Sequence, residues 1–326
     1  MNSGRLDAAA AAALLLAAGG VAALVFLLRP PAAPAPLPLM SSEQCLACHA
    51  DVAAEWSASH HALAYENPEV RRLSGDFANQ ECIACHAPRP VLAFLPGERV
   101  LARQADRRFG VDCLACHATP DGAVATANPR PNPDAPCRPR FEGRMASADH
   151  CAACHDQHGT VGQWRAAPEP RRGDNCLHCH MHEVWREGGR RGRDHGFPAS
   201  HDLAALQSAV ALRGGWGADG PWVELENSGA GHNFPTDERS RAADLEVRWL
   251  LTGGGWSAWE RLRRFRDPYR DETDLTNTQL PAGAIWRASP PPDAAASAGE
   301  ARLLYRTNPY QPDSEAREIA RVPLQP

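Results

Sequence analysis

The chain has 326 residues, eleven cysteines and no lysine, and its formal net charge is −5. That length suits about two domains, and so mild a charge gives no electrostatic case for a nucleic-acid partner. Four tyrosines and eight phenylalanines are thin material for an ordinary apolar core of this size.

The first element is apolar. Ala8 to Leu28 is 21 residues without a charge, long enough to cross a hydrocarbon layer of about 30 Å as a helix. A cleaved signal peptide has a shorter apolar region of about 7–15 residues. Residues 1–28 therefore read as a membrane anchor, with signal cleavage as the alternative, and either way the remainder is exported to the periplasmic side of a bacterial inner membrane. RPPAAPAPLPL (Arg29 to Leu39) then reads as a polyproline-like tether over residues 29–40.

Five copies of C-x-x-C-H follow: Cys45, Cys48 and His49; Cys82, Cys85 and His86; Cys113, Cys116 and His117; Cys151, Cys154 and His155; Cys176, Cys179 and His180. Their start-to-start intervals of 37, 31, 38 and 25 residues are too uneven for a solenoid. The chemical unit repeats while the connecting structure does not. C-x-x-C-H is the attachment pattern of c-type haem. On a helical turn, residues i, i+3 and i+4 share a face. Two thiols can then add to the vinyl groups of one porphyrin while the imidazole reaches its iron. Helix starts are marked by the capping-box spacing of Ser41 and Gln44 and by Asp174 or Asn175 ahead of Cys176. A redox disulfide or a four-thiolate zinc site gives no reason for a histidine after the second cysteine in every copy. Five covalent haem c groups are expected, and they supply the apolar bulk that the aromatics do not.

Each iron needs a second axial ligand, and its identity separates electron transfer from substrate binding. Nine histidines lie outside the attachment positions: His60, His61, His150, His158, His178, His182, His195, His201 and His232. Here WSASHHALA (Trp56 to Ala64), the NCLHCHMH segment with its trailing DHGFPASHD, and GHNFPTDERSR (Gly231 to Arg241) resemble the cytochrome c-554 family and related exported multihaem cytochromes. Carried over position by position, the resemblance makes His61, His195, His201 and His232 distal ligands. Two departures are local: Asp237 stands where the family often has glycine, and Ala199 and Ser200 where it often has a glycine pair. For the fifth distal ligand His150 ranks ahead of His158, while Met145 and Met181 are thioether alternatives. His60, His178 and His182 read as hydrogen-bonding, propionate-contacting or solvated side chains. Cys137 is the odd cysteine, a buried or incidental thiol, with intermolecular pairing as the alternative.

Beyond Asp202 the pattern changes to short alternating strands. Ala209 to Arg213 and Trp222 to Glu226 flank GGWGADGP as a hairpin with a long turn. In Asp244 to Leu250, Leu245, Val247 and Trp249 share one face, and Glu246 and Arg248 the other. Ala301 to Arg306 alternates less cleanly, Ser289 to Glu300 reads as a flexible excursion, and the acidic segment Arg266 to Asp274 reads as a charged loop, with cation binding as the alternative. The fold class is α+β: a mainly helical and irregular pentahaem domain over 41–202, then a small antiparallel β-sandwich-like domain over 203–326. If His232 ligates an iron, the second docks on the first.

The expected function is electron transfer between a membrane donor or acceptor and an exported redox protein, without a catalytic group. The alternative is an oxidoreductase acting on a small nitrogen or sulfur compound at one open-faced haem. A third reading, compatible with the first, makes the β-domain a docking module. The retention of histidine in all five motifs favours the carrier.

Overall fold

The computed structural model describes residues 12–13, 41–168, 175–237 and 239–325. Apart from residues 12 and 13, the apolar segment Ala8 to Leu28 and the tether over 29–40 lie outside the described residues, as does Asp174. Among the described residues no helix is long and apolar enough to cross a membrane.

The motif-bearing region is a succession of short helices: α1 (Glu43–Leu46), α2 (Ala50–Ser57), α3 (His60–Leu63), α4 (Pro68–Leu73), α5 (Ile83–His86), α6 (Cys113–His117), α7 (Ala148–His155), α8 (Thr160–Ala166) and α9 (Cys176–His180). Local chemistry starts them. Asn175 Oδ1 accepts from the amides of Leu177 and His178 at 3.1 and 3.3 Å, Asp112 Oδ1 from Ala115 at 2.9 Å, and at α1 Gln44 Oε1 accepts from the Ser41 amide at 3.1 Å and Ser41 Oγ from the Glu43 amide at 3.2 Å. Each side chain satisfies amides that a helix start leaves unpaired. Apolar contacts here come in small separate patches, such as Phe77 with Ile83 and Ala87, and Val91 with Val100 and Ala153. Two short ladders punctuate the region: a parallel bridge of β1 (Ala125–Thr126) with β2 (Arg140–Phe141), and a hairpin of β3 (Glu183–Arg186) with β4 (Arg190–Arg193).

After α10 (Leu203–Ala209) come two antiparallel sheets. One has three strands, β5 (Ala211–Gly217), β6 (Gly220–Glu226) and β9 (Ile285–Ala288), in that order. The other has four, β7 (Ala242–Leu251), β8 (Glu260–Arg266), β10 (Ala296–Arg306) and β11 (Arg317–Leu324), in the order β11-β10-β7-β8. Both sheets feed one apolar cluster. Leu245, Val247 and Trp249 are buried on one face of β7 as the alternation requires, meeting Val223 and Leu225 of the smaller sheet and Leu303 and Tyr305 of β10. Edge-to-face pairs Trp216–Trp249 and Phe265–Trp286, both with centroids 5.9 Å apart, join the sheets in the geometry aromatic quadrupoles favour.

The opposite face of β7 is polar yet also covered. Buried Asp244 accepts from Arg264 at 2.7 Å and from Arg306 at 2.8 Å, and Glu246 accepts from Arg302 at 2.7 Å. Arg302 in turn lies 4.1 Å from the Trp259 ring centroid. Opposite charges on adjacent strands thus line up across the ladder. This arrangement makes strands of Arg-rich segments such as ERLRRFR (β8), which carry little apolar signal.

Two readings of the second half are corrected. The hairpin turn is tight, because β5 runs on through Gly214 to Gly217 and pairs Gly217 with Gly220. A Cβ at Gly214 would stand 2.6 Å from Leu324 Cδ2, so glycine lets β5 lie against β11. Part of the Ser289–Glu300 excursion is strand: Ala296 to Glu300 pair with Leu251 to Arg248, and Arg248 ion-pairs with Glu300. In the 266–274 segment, Glu272 accepts from Arg266, the Tyr269 amide and the Tyr310 hydroxyl. Among the described residues no group of three or more His, Cys, Asp or Glu side chains converges as for a bare metal ion.

The loop from Gly231 to Asp237 seats the sheets on α8. Thr236 Oγ1 donates to Gln163 Oε1 at 2.5 Å and lies 3.0 Å from Thr160 Oγ1. The Asn233 amide donates to Gln163 Oε1 at 3.2 Å, and Gln279 bonds both Gln163 and the Pro235 carbonyl. This polar clasp positions His232 and Asp237 against the motif-bearing helices.

Candidate haem sites

Three of the five attachment histidines face a second imidazole. The ring centroids of His117 and His195 are 6.3 Å apart, those of His180 and His232 also 6.3 Å, and those of His155 and His61 6.1 Å. Van der Waals stacking brings rings much closer, as in the His60–His201 pair at 3.6 Å. A metal–imidazole bond of about 2 Å on each side, plus the ring radii, gives a centroid separation of roughly 6–6.5 Å. The three wide pairs therefore have the span of two axial ligands on one iron, and the residues fit haem.

The other ring nitrogen is occupied in a way that suits this role. Nδ1 meets a backbone carbonyl in His86 (Ala64, 2.7 Å), His117 (Ala125, 2.9 Å), His180 (Pro198, 2.8 Å), His195 (Arg193, 2.8 Å) and His232 (Asn233, 2.9 Å). A carbonyl on Nδ1 fixes the tautomer that presents the Nε2 lone pair to a metal and orients the ring. Burial reinforces the neutral form. It is the leading cause that lowers the proton affinity of His117, His180, His195 and His232, and it takes His61 down to about 3. His155 is the exception. Its Nδ1 is 3.2 Å from Asp237 Oδ2, and the carboxylate charge lifts it to about 9 against the opposing effect of burial.

The thiols show which motifs are neighbours. Cys45 is in hydrogen-bonding contact with Cys113, Cys85 with Cys154, and Cys151 with Cys176. The first motif thus abuts the third, and the fourth sits between the second and the fifth.

Comparison with known proteins now bears on the whole arrangement. A family described as "Cytochrome c554 and c-prime" matches residues 44–119. The fold superposes with a TM-score of 0.68 on a penta-heme cytochrome c552 from Thermochromatium tepidum, at 17% sequence identity, covering 89% of this chain and 100% of that one. No curated protein matches the sequence. The chain has a multihaem c-type cytochrome fold and resembles the cytochrome c554 family.

Within this cytochrome fold His61 and His195 are held by contacts that sequence did not disclose. His61 follows α2, where Trp56 Nε1 donates to the Val111 carbonyl at 2.8 Å and the Val111 amide returns to His61 O at 2.8 Å. Gly110 permits that approach, since a Cβ there would lie 2.3 Å from His61 O. His195 is anchored by Glu55, which accepts its amide at 3.0 Å and clamps Arg186 of β3 at 2.5 Å. Phe197 packs its ring against both, 4.3 Å from His61 and 5.9 Å from His195, on a left-handed backbone with φ of 49°. Glu55, Arg186 and Gln163 carry no motif, and only long-range pairing reveals them.

The other expected ligands are placed differently. His150 is largely buried near His117, with a proton affinity lowered by burial to about 4 and a buried Nδ1 without a hydrogen-bond partner. His201 stacks on His60, and burial lowers it to about 3. Among the described ring pairs neither faces an attachment histidine, and none of those pairs puts a second imidazole opposite His49 or His86. His182 lies 3.4 Å from Asp194 at the surface. Met145 is buried, and Cys137 is a half-buried free thiol.

Proposed function

We propose that the protein is an electron carrier holding five covalently attached haem c groups. Haem iron supplies a one-electron couple; the chain's residues attach, orient and insulate it. In this reading Cys45 and Cys48, Cys82 and Cys85, Cys113 and Cys116, Cys151 and Cys154, and Cys176 and Cys179 form the thioethers. His49, His86, His117, His155 and His180 are the proximal ligands, with His61 opposite His155, His195 opposite His117, and His232 opposite His180. His150 and His201 are the remaining candidate ligands, for the irons of His49 and His86, opposite which no described ring pair places an imidazole. The single observation that carries the reading is the set of three imidazole pairs at 6.1 to 6.3 Å, because two fixed imidazoles close an iron to substrates and favour electron transfer.

The contiguity of the motifs supports relay from one haem to the next. The division at residues 202/203 makes the β-domain a dock for the haem domain, tied through His232 and the Gln163 clasp. The electrons are proposed to pass between a membrane donor or acceptor and an exported redox protein, with residues 1–28 as the periplasmic-side anchor or a cleaved signal. The test is the spin state of the oxidised holoprotein. Low-spin haem that leaves cyanide unbound is expected; a substantial high-spin fraction that binds cyanide or nitrite would instead assign it to the oxidoreductases.

A further inference from the structure

Of the six imidazole Nδ1 hydrogen bonds described, five end on a backbone carbonyl and one ends on a carboxylate, that of Asp237 to His155. Backbone geometry does not call for an acid there. Asp237 sits at a φ of 72°, a left-handed conformation that aspartate tolerates and glycine adopts at least cost. Docking does not call for it either, since Thr236, Asn233 and Gln279 already fasten the loop to Gln163. What the carboxylate does is face the attachment histidine of the fourth motif at hydrogen-bonding distance; its charge also reaches His158 and Arg241 and, more weakly, His61, His180 and His232.

We propose that Asp237 is a positioning and tuning residue for the iron bound at His155. By accepting the Nδ1 proton in a charge-assisted hydrogen bond, it makes His155 a stronger electron donor than a carbonyl-bonded imidazole. A stronger axial donor stabilises the oxidised iron over the reduced one and lowers its reduction potential. Because the fourth motif touches both the second and the fifth through Cys85–Cys154 and Cys151–Cys176, this lowering sets a step at a junction of the electron path. The inference rests on His155 being a haem ligand, as proposed above.

The test is a spectropotentiometric titration of the five-haem protein, wild type against Asp237→Asn and Asp237→Gly. Asparagine keeps the shape without the charge; glycine suits the left-handed backbone and guards against misfolding. One of the five components is expected to rise by at least tenfold in its reduction equilibrium, about 59 mV for one electron, while the component of His180 and His232, which the same charge reaches without a hydrogen bond, rises less and the other three stay in place. In electron paramagnetic resonance, the low-spin ferric signal of that same haem shifts. Five unchanged potentials, a downward shift, or all five moving together would overturn the tuning role. A wild-type protein that contains no haem at the fourth motif, read by peptide mass before any titration, would instead overturn the ligand assignment beneath it.

Discussion

Residues 211 to 325 and residues 41 to 202 build their interiors from different materials. In the β region Leu225, Leu245, Val247, Phe265 and Leu303 belong to one continuous cluster spanning both sheets. Among its described residues the motif-bearing region has three separate patches of three buried apolar residues each, and four of those nine are alanine. A large buried side chain contributes about 1.5–3 kcal/mol, while ordering each residue's backbone costs about 1–2 kcal/mol. Helices of four to eight residues are also below the length at which a helix is marginally stable alone. The β region therefore carries its own driving force, whereas the helical region relies on what its cysteines and histidines hold. The difference shows how one chain can combine a self-supporting scaffold with a scaffold completed by a cofactor.

The largest effect that would break this comparison is loss of haem attachment. In chain produced without haem insertion, amides from α1 to α9 are expected to exchange with deuterium almost without protection, while β7 and β10 stay protected. Equal protection in both regions would make the helical part self-supporting and abolish the distinction. A smaller effect probes the scaffold that stands alone. Burial pushes the Asp244 carboxyl up, but the hydrogen bonds and charges of Arg264 and Arg306 outweigh it, and the net result lies below the usual carboxylate range. A depressed native pKa adds stability above the unfolded value of about 3.9, and that stability is lost as pH falls through the native pKa. Asp244→Asn is expected to cost about 1.5–3 kcal/mol at neutral pH by removing the carboxylate that Arg264 and Arg306 share, although Arg306 keeps Asp313, and to weaken the acid dependence of urea unfolding. An unchanged midpoint would mean that the ion network contributes nothing net.

The legible parts of the sequence were those where chemistry is local. C-x-x-C-H is five residues long, the Asn175 cap acts two and three residues ahead, and the alternation in Asp244 to Leu250 states which face is buried. The β-rich character of the second half followed from such alternation, though β8 and β11 were hidden because arginines paired across strands replace apolar residues. The facing of His232 and His180 could not be read from either segment alone, since nothing near His232 in sequence announces His180. Asp237 was visible as a departure, but its partner lies 82 positions away. Glu55 and Arg186, 131 positions apart, had no signal, because a lone carboxylate and a lone guanidinium become a clamp only through tertiary folding.

The third and smallest perturbation to stability is also the most direct test of the imidazole pairs. In His232→Ala, near-infrared magnetic circular dichroism of the oxidised protein is expected to show one bis-imidazole low-spin haem fewer, a new high-spin ferric signal, and both sheets intact. An unchanged set of low-spin haems in that variant would mean that no iron lies between His180 and His232, and the reading of the wide imidazole pairs as axial ligands would be contradicted.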